Sequence, residues 1–158
     1  MPHKSAIKRI LITGPESSGK TTLARSLAEA QDEPWVPEYA REYLEKYGPD
    51  YTLNDLIQIA EGQFRMEDQL ALQAREFLFC DTGPLVLKIW AEYRFGICPE
   101  YIEKAWQERP YHQIILCKPT LPWVPDPLRE NPDDRDVLFE LYVASLEAAG
   151  RAYQISSK

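Results

Sequence analysis

The sequence is poor in cysteine and has no long apolar run, and these two absences exclude several classes of protein. Its three cysteines, Cys80, Cys98 and Cys117, form no C-x-x-C pair, so we expect neither a disulfide framework nor a zinc site. No apolar run approaches the roughly 18 residues of a membrane span, and residues 1–9 lack the apolar stretch of a signal peptide. We therefore predict a cytoplasmic protein that does not associate with membranes.

An excess of positive charge is also missing. The chain has 18 lysines and arginines against 25 aspartates and glutamates, a formal net charge of -7. Nucleic acids and anionic membranes bind broad basic faces, so we expect neither as a partner, although a local basic pocket is compatible with these numbers. A hydrophobic content of 44% in 158 residues suffices for one core, so residues 1–158 are predicted to form a single domain.

Short apolar runs alternate along the chain with segments of helical periodicity. Strands or extended segments are predicted at residues 7–13, 34–37, 77–80, 113–117 and 152–155. Helices are predicted at residues 20–31, 38–47, 52 to about 76, 84–94, 99–109 and 133–149. Continuous apolar strands joined by helices are typical of a parallel sheet covered on both faces. We therefore predict a three-layer α/β/α fold with a mostly parallel sheet of about five strands, whose ligands bind at the carboxyl ends of the strands.

One segment matches the phosphate-binding pattern G-x-x-x-x-G-K-[ST] in full, from Gly14 to Thr21. It follows an apolar strand and opens an amphipathic helix, which is the context that such a loop requires. Backbone amides at the start of the helix would bind phosphate oxygens, Lys20 would reach the β- and γ-phosphates, and the Thr21 hydroxyl would bind Mg²⁺. The predicted ATP site comprises Gly14, Glu16, Ser17, Ser18, Gly19, Lys20, Thr21 and Thr22.

Asp81 follows a second buried strand, FLFC. An acid at this position beside the phosphate-binding loop can bind Mg²⁺ through water or accept the proton of an acceptor hydroxyl. The alternative is a purely structural role as the N-cap of the helix that begins near Pro84. We favour the catalytic and metal-binding role.

The segment WVPEYARE places Glu38 and Arg41 one helical turn apart at the end of a short extended piece. The Glu38 carboxylate could bind sugar hydroxyls or act as a base, Arg41 could bind a phosphate, and Tyr39 or Trp35 could stack on a ring. The alternative for Glu38 and Arg41 is a surface ion pair, and it stays open. For Trp35 we favour a place in the core.

A proline-rich, charged segment is predicted to form a lid at about residues 118–135. Arg129 and Arg135 lie in it, and arginines on a closing loop can neutralise charge on a transferring phosphoryl group. We place Arg129 in the catalytic set and Arg135 at the nucleotide. The alternative is a solvated charged loop whose salt bridges contribute little.

Three segments together, TGPESSGKTTLARSLA, WVPEYAREYL and FLFCDTGPLVLKIW, make the sequence similar to a known family. It resembles the ribosylnicotinamide kinase domain of the NadR proteins and their stand-alone relatives, others of which are known only as AAA-type ATPases. The resemblance covers residues 7–155. Its specific parts are the E-Y-x-R-E block from Glu38, the D-T pair at Asp81 and the W-V-x-D-x-x-R-like stretch that ends at Arg129.

The resemblance implies a P-loop kinase fold with a lid. It also implies phosphorylation of nicotinamide riboside at its 5′-hydroxyl by ATP and Mg²⁺, a step of NAD salvage. Asp81 and Glu38 would then face the ribosyl acceptor and Mg²⁺, and Arg129 or Arg135 would belong to the lid. Two alternatives stay open: a kinase for another nucleoside or nucleotide, and a regulatory ATPase or nucleotide switch that has no small acceptor.

The sequence departs from the fused NadR proteins at both ends. No adenylyltransferase segment precedes residue 7, so we expect no second activity, and the chain ends at Lys158, where similar kinases continue into a loop that contacts adenine. The chain is therefore either short or truncated. The sequence also leaves open whether the protein forms a homo-oligomer, whether it prefers ATP to GTP, and which of Glu38 and Asp81 is the base.

Overall fold

Five parallel strands form one sheet in the order β2-β3-β1-β4-β5, with helices between them along the chain. The structure is a computed structural model that describes residues 7–15, 18–48, 50–119 and 135–156. The elements are β1 (Lys8–Thr13), α1 (Lys20–Gln31), β2 (Trp35–Val36), α2 (Tyr39–Tyr47), α3 (Leu53–Ala71), β3 (Phe77–Asp81), α4 (Gly83–Phe95), α5 (Glu100–Glu108), β4 (Gln113–Cys117), α6 (Arg135–Ala148) and β5 (Gln154–Ser156). The predicted parallel α/β sheet is confirmed.

Both faces of the sheet are covered because its central strands are apolar on both sides. On β1, Ile10 and Ile12 pack with Ala24 and Ala28 of α1. Leu11, between them, belongs to a cluster on the other face with residues of α4 and α6. Successive side chains of a strand point to opposite faces, so this alternation produces the three layers. Among the described residues, no helix combines the length and the apolar character that crossing a membrane requires.

Helix α3 ends earlier than the sequence predicts. It ends at Ala71, and not near Glu76. The helix first tightens, because the N–H groups of Leu72, Gln73 and Ala74 donate to carbonyls three residues back. The carboxylate of Glu33 then accepts hydrogen bonds from the backbone N–H groups of Arg75, Glu76 and Phe77, at 3.0, 2.7 and 2.8 Å. In a continuing helix these groups would donate to carbonyls four residues back. A carboxylate from another part of the chain thus holds the segment between α3 and β3 in a non-helical conformation.

The last two elements also differ slightly from their predicted bounds. Helix α6 runs from Arg135 to Ala148, while residues 133 and 134 of the predicted helix lie outside the described residues. Strand β5 is displaced towards the C-terminus, because Ser156 pairs with Cys117 of β4 and residues 152 and 153 precede the ladder. Of the predicted lid, the structure describes only residues 118, 119 and 135.

A network of buried charges lies at the amino-terminal edge of the sheet. Glu67 of α3 has no exposed surface, and its Oε2 accepts hydrogen bonds from Arg9 and, at 2.8 Å, from Arg109. Its Oε1 accepts one from the Tyr111 hydroxyl at 2.9 Å. Asp68, which is exposed, accepts from the same two arginines at 2.9 and 2.6 Å. The network connects β1, α3 and the segment that leads from α5 into β4.

Candidate active site

The two glycines that bound the turn after β1 both have positive φ angles. Gly14 has φ +145°, and a Cβ placed there would lie 2.6 Å from the carbonyl oxygen of Cys117, so strand β4 leaves no room for a side chain. Gly19, at the N-cap of α1, has φ 82°, in the left-handed region. Glu16 and Ser17 lie outside the described residues.

Buried hydroxyl groups lie beside this turn. The side chains of Thr13 and Ser18 have 0% and 1% exposed surface, and within the described part of the chain their oxygens have no hydrogen-bond partner. Buried polar groups in proteins are normally paired, and unpaired ones at a phosphate-binding turn are suited to a polar ligand. Ser18 belongs to the predicted ATP site, whereas Thr13, the last residue of the predicted first strand, was not assigned to it.

The first turn of α1 brings the predicted lysine and threonine to the carboxyl edge of the sheet. The Thr21 hydroxyl donates a hydrogen bond of 2.6 Å to Oδ2 of Asp81. Lys20 Nζ lies 3.9 Å from Oε2 of Glu38. Thr22 follows on the exposed side of the helix. The N–H groups of this first turn have no acceptor within the helix, as phosphate binding requires.

Asp81 is fully buried at the end of β3, where the sheet register pairs it with Ile12 of β1. The pKa of its carboxyl group is raised to about 6, because burial and, to a smaller extent, the negative charge of Glu38 outweigh the lowering by Lys20 and by the Thr21 hydroxyl. The alternative role as helix cap is not what the contacts show, since Thr82 occupies the N-cap of α4 and the Asp81 carboxylate contacts Thr21. Its Oδ1 has no hydrogen-bond partner among the described residues.

Thr82 is a residue of this site to which the sequence analysis gave no role. Its φ is 95°, a strained conformation for a β-branched residue, and such strain is often found at functional sites. Its hydroxyl donates a hydrogen bond of 3.4 Å to Oε2 of Glu38. The D-T pair was noted as part of the family pattern, but only the fold brings its threonine to Glu38.

Glu38 lies at the N-cap of α2, directly after β2, with its carboxylate towards Lys20 and Thr82. The ring of Tyr39 is half-buried and packs on α3 at Gly62. Arg41 lies on the exposed face of α2. Trp35 packs, as favoured from the sequence, on the core beside α1, with the Arg25 guanidinium 5.9 Å from its ring centre.

The lid arginines are placed only in part. Arg129 lies outside the described residues, and Arg135 is the first residue of α6. Their predicted roles at the nucleotide and at the transferring phosphoryl group stay predictions.

The oxygen atoms at this site fit a Mg²⁺ ion. A hydroxyl from Thr21 and a carboxylate from Asp81, one of whose oxygens is unpaired among the described residues, are the hard oxygen ligands that this ion prefers. Within residues 7–15, 18–48, 50–119 and 135–156, no three His, Cys, Asp or Glu side chains cluster as a metal site would need. A Mg²⁺ ion here would thus depend on phosphate oxygens and water for its other ligands.

Comparison with known proteins agrees with this geometry. A model of the AAA domain family matches residues 9–158. The chain belongs to this AAA domain family. The AAA-domain chain is also 29% identical over 147 residues to the trifunctional NAD biosynthesis/regulator protein NadR of Escherichia coli K12, and 28% identical to that of Salmonella typhimurium. Each alignment covers 89% of this chain and 36% of the relative, so the chain spans about a third of these relatives' length. The resemblance to NadR proteins is confirmed.

Solved structures share the fold of this AAA-domain protein. A NadR protein in complex with NR superposes with a TM-score of 0.79 at 22% identity, covering 95% of this chain and 43% of that one. NadR with NAD and AMP-PNP gives 0.78 at 23% identity, covering 97% and 44%. Thymidylate kinase from Ehrlichia chaffeensis gives 0.69 at 14% identity, covering 98% and 92%. The P-loop kinase fold predicted from the sequence is therefore confirmed.

Proposed function

We propose that this protein is a kinase that transfers the γ-phosphoryl group of ATP to the ribose 5′-hydroxyl of nicotinamide riboside. The observation that carries the proposal is the convergence of Lys20, Thr21, Asp81 and Glu38 at the carboxyl edge of the sheet, from three separate elements. Membership of the AAA domain family supports nucleotide binding. Similarity to NadR supports nicotinamide riboside as the acceptor, because a NadR protein has been solved in complex with NR.

The nucleotide would bind along the turn between β1 and α1. The amides at the start of α1 would hold phosphate oxygens, and Lys20 would neutralise charge on the β- and γ-phosphates. Thr21 and Asp81 would hold Mg²⁺, which neutralises phosphate charge when bound. The pairing of Lys20 with Glu38 at 3.9 Å is long for an ion pair, so the ammonium group is available to a stronger anion.

The acceptor would bind on the Glu38 side of the site. In the transfer, the 5′-hydroxyl oxygen forms a bond to the γ-phosphorus, and the bond from this phosphorus to the β–γ bridging oxygen breaks, which leaves ADP. We assign the hydroxyl proton to Glu38, because its side chain is 20% exposed whereas Asp81 is buried and bonded to Thr21. Tyr39 and Arg41 are proposed to contact the acceptor, and Arg129 and Arg135 the transferring group and the nucleotide.

A transfer assay tests the proposal. The protein is incubated with γ-labelled ATP, Mg²⁺ and a panel of nucleosides and nucleotides that includes nicotinamide riboside. We expect label in nicotinamide mononucleotide above all other products. Label found only in free phosphate would contradict a kinase and favour an ATPase that has no small acceptor. Label in another nucleotide would retain the kinase and replace the acceptor.

A further inference from the structure

One buried side chain holds the backbone on both sides of Glu38. Gln63 of α3 is 1% exposed. Its Oε1 accepts a hydrogen bond of 2.8 Å from the N–H of Tyr39, and its Nε2 donates one of 3.1 Å to the carbonyl oxygen of Pro37. Both polar atoms of the side-chain amide thus bond to the two peptide groups that flank Glu38.

The Glu38 side chain takes no part in capping α2. A residue at the N-cap commonly uses its own side chain to accept a hydrogen bond from the first turn of the helix. Glu38 makes no such bond, and Gln63 accepts from the N–H of Tyr39, the first helical residue, which has no acceptor within the helix. The Glu38 carboxylate is therefore free to extend towards Lys20 and Thr82.

The residue before Gln63 allows the two helices to approach. A Cβ at Gly62 would overlap the ring of Tyr39, so only glycine lets this ring lie against the α3 backbone. Strand β2, which leads into Glu38, is only two residues long and pairs with β3 at Trp35 and Val36 alone. The sheet therefore makes few bonds to the segment that leads into Glu38, and the hydrogen bonds from Gln63 of α3 add to them.

We propose that Gln63 is a positioning residue that sets the location of the Glu38 carboxylate in the active site. Gly62 assists it by admitting Tyr39. The expected effect of Gln63 on catalysis rests on the proposed function, whereas its expected effect on the position of the Glu38 carboxylate does not. Misplacing a reacting group by about 1 Å can cost on the order of 100-fold in rate, so a support that touches no substrate can still control turnover.

The kinetic test compares Gln63→Leu with Gln69→Leu, the same change at an exposed position of the same helix. We expect Gln63→Leu to lower kcat/KM for nicotinamide riboside about 10- to 100-fold, with the KM for ATP changed less than about twofold. Gln69→Leu should match the wild type. In a Glu38→Gln background, Gln63→Leu should cost less than about twofold more, because residues that act through one another are not additive. An equal loss in both backgrounds, or no loss at all, would overturn the inference.

A second measurement needs no activity. In protein labelled with carbon-13 at glutamate, the side-chain carboxyl resonance of Glu38 is assigned by its loss in Glu38→Gln. This resonance should shift in Gln63→Leu and stay in place in Gln69→Leu; an unchanged resonance in Gln63→Leu rejects the positioning role. A wild type that phosphorylates no acceptor would reject the proposed function alone. If Gln63→Leu does not fold, Gln63→Met replaces it, because methionine keeps the unbranched shape and lacks both polar groups.

Discussion

Asp81 combines full burial with a charge, and the two act against each other. Raising the pKa of its carboxyl from 3.8 to about 6 corresponds to roughly 3 kcal/mol against the ionised form in the folded protein. The group therefore costs no stability below its unfolded pKa, and the cost grows as the pH rises through about 6. A carboxylate kept at such a cost is typical of a functional site.

The variant Asp81→Asn tests this cost directly. We expect it to be more stable than the wild type by up to about 3 kcal/mol near pH 8, and about equal in stability below about pH 3, where Asp81 is protonated in both the folded and the unfolded state. Urea unfolding of both proteins at several pH values, without Mg²⁺, measures the difference. A gap that does not change with pH would show that hydrogen bonding, and not charge, distinguishes the two side chains.

The same variant should lose phosphoryl transfer. In the wild type, kcat/KM should fall below about pH 6, because protonation of Asp81 removes the charge that we assign to Mg²⁺ binding. Transfer rates over a pH series measure this fall. An acid limb centred below about pH 4 would mean that nucleotide or metal binding holds Asp81 ionised, or that Asp81 does not control the rate.

Lys20 supports a second prediction at the scale of the residue. Lys20→Ala should reduce transfer by at least about 100- to 1,000-fold, since one charged donor to a transferring group contributes that much. The fold should persist because the side chain lies at the start of α1 and its carboxylate neighbour Glu38 is partly exposed. Transfer assays and circular dichroism measure the two effects. Transfer at the wild-type rate would remove the lysine from the mechanism.

At the scale of the element, the crossing of α2 on α3 depends on Gly62. Gly62→Ala should gain up to about 1 kcal/mol of helix propensity but lose about 1–3 kcal/mol to the overlap with the Tyr39 ring, for a net loss of stability. In a Tyr39→Ala background the ring is absent, and the same change should become stabilising. Urea unfolding of the four proteins measures both signs. A stabilising effect in the wild-type background would show that Tyr39 moves without cost.

The ends of elements show where prediction from sequence succeeds and where it fails. The helix predicted at residues 52 to about 76 begins as expected, because Thr52 caps α3 in a reciprocal pair with Asp55 and both residues of this cap are local. The other end of α3 was predicted five residues too late, since residues 72–76 carry no local stop signal. Glu33, whose carboxylate binds the N–H groups of residues 75–77, lies more than 40 positions away from them along the chain. Only the fold brings it there.

The candidate site follows the same division. The phosphate-binding turn and Asp81 could be predicted because a contiguous motif and a strand end identify them. Thr82 and Gln63 could not be assigned, since their bonds to Glu38 and its neighbours join residues 44 and 24 positions apart. Contacts between residues this far apart in the sequence depend on how the helices cross and on the register of the sheet. No local sequence pattern predicts either of these.

At the scale of the whole molecule, the buried charge network connects elements that span most of the chain. Glu67→Gln should destabilise the fold by about 3–5 kcal/mol, because Arg9 and Arg109 then face each other without a buried counter-charge. Asp68→Asn is the matched control, since Asp68 accepts from the same arginines but is exposed, and it should cost about 1 kcal/mol or less. Urea unfolding measures both, and equal losses would show that burial does not strengthen the network.

The outer strands of the sheet are its shortest, with two residues in β2 and three in β5. A neighbouring molecule that tried to add a strand would find few consecutive peptide groups at which to begin a ladder. In the described part of the chain, the sheet edges therefore offer few peptide groups for edge-to-edge pairing into fibrils. Short edge strands are of practical value, because magnetic resonance on glutamate carboxyls needs concentrated samples that do not aggregate over days.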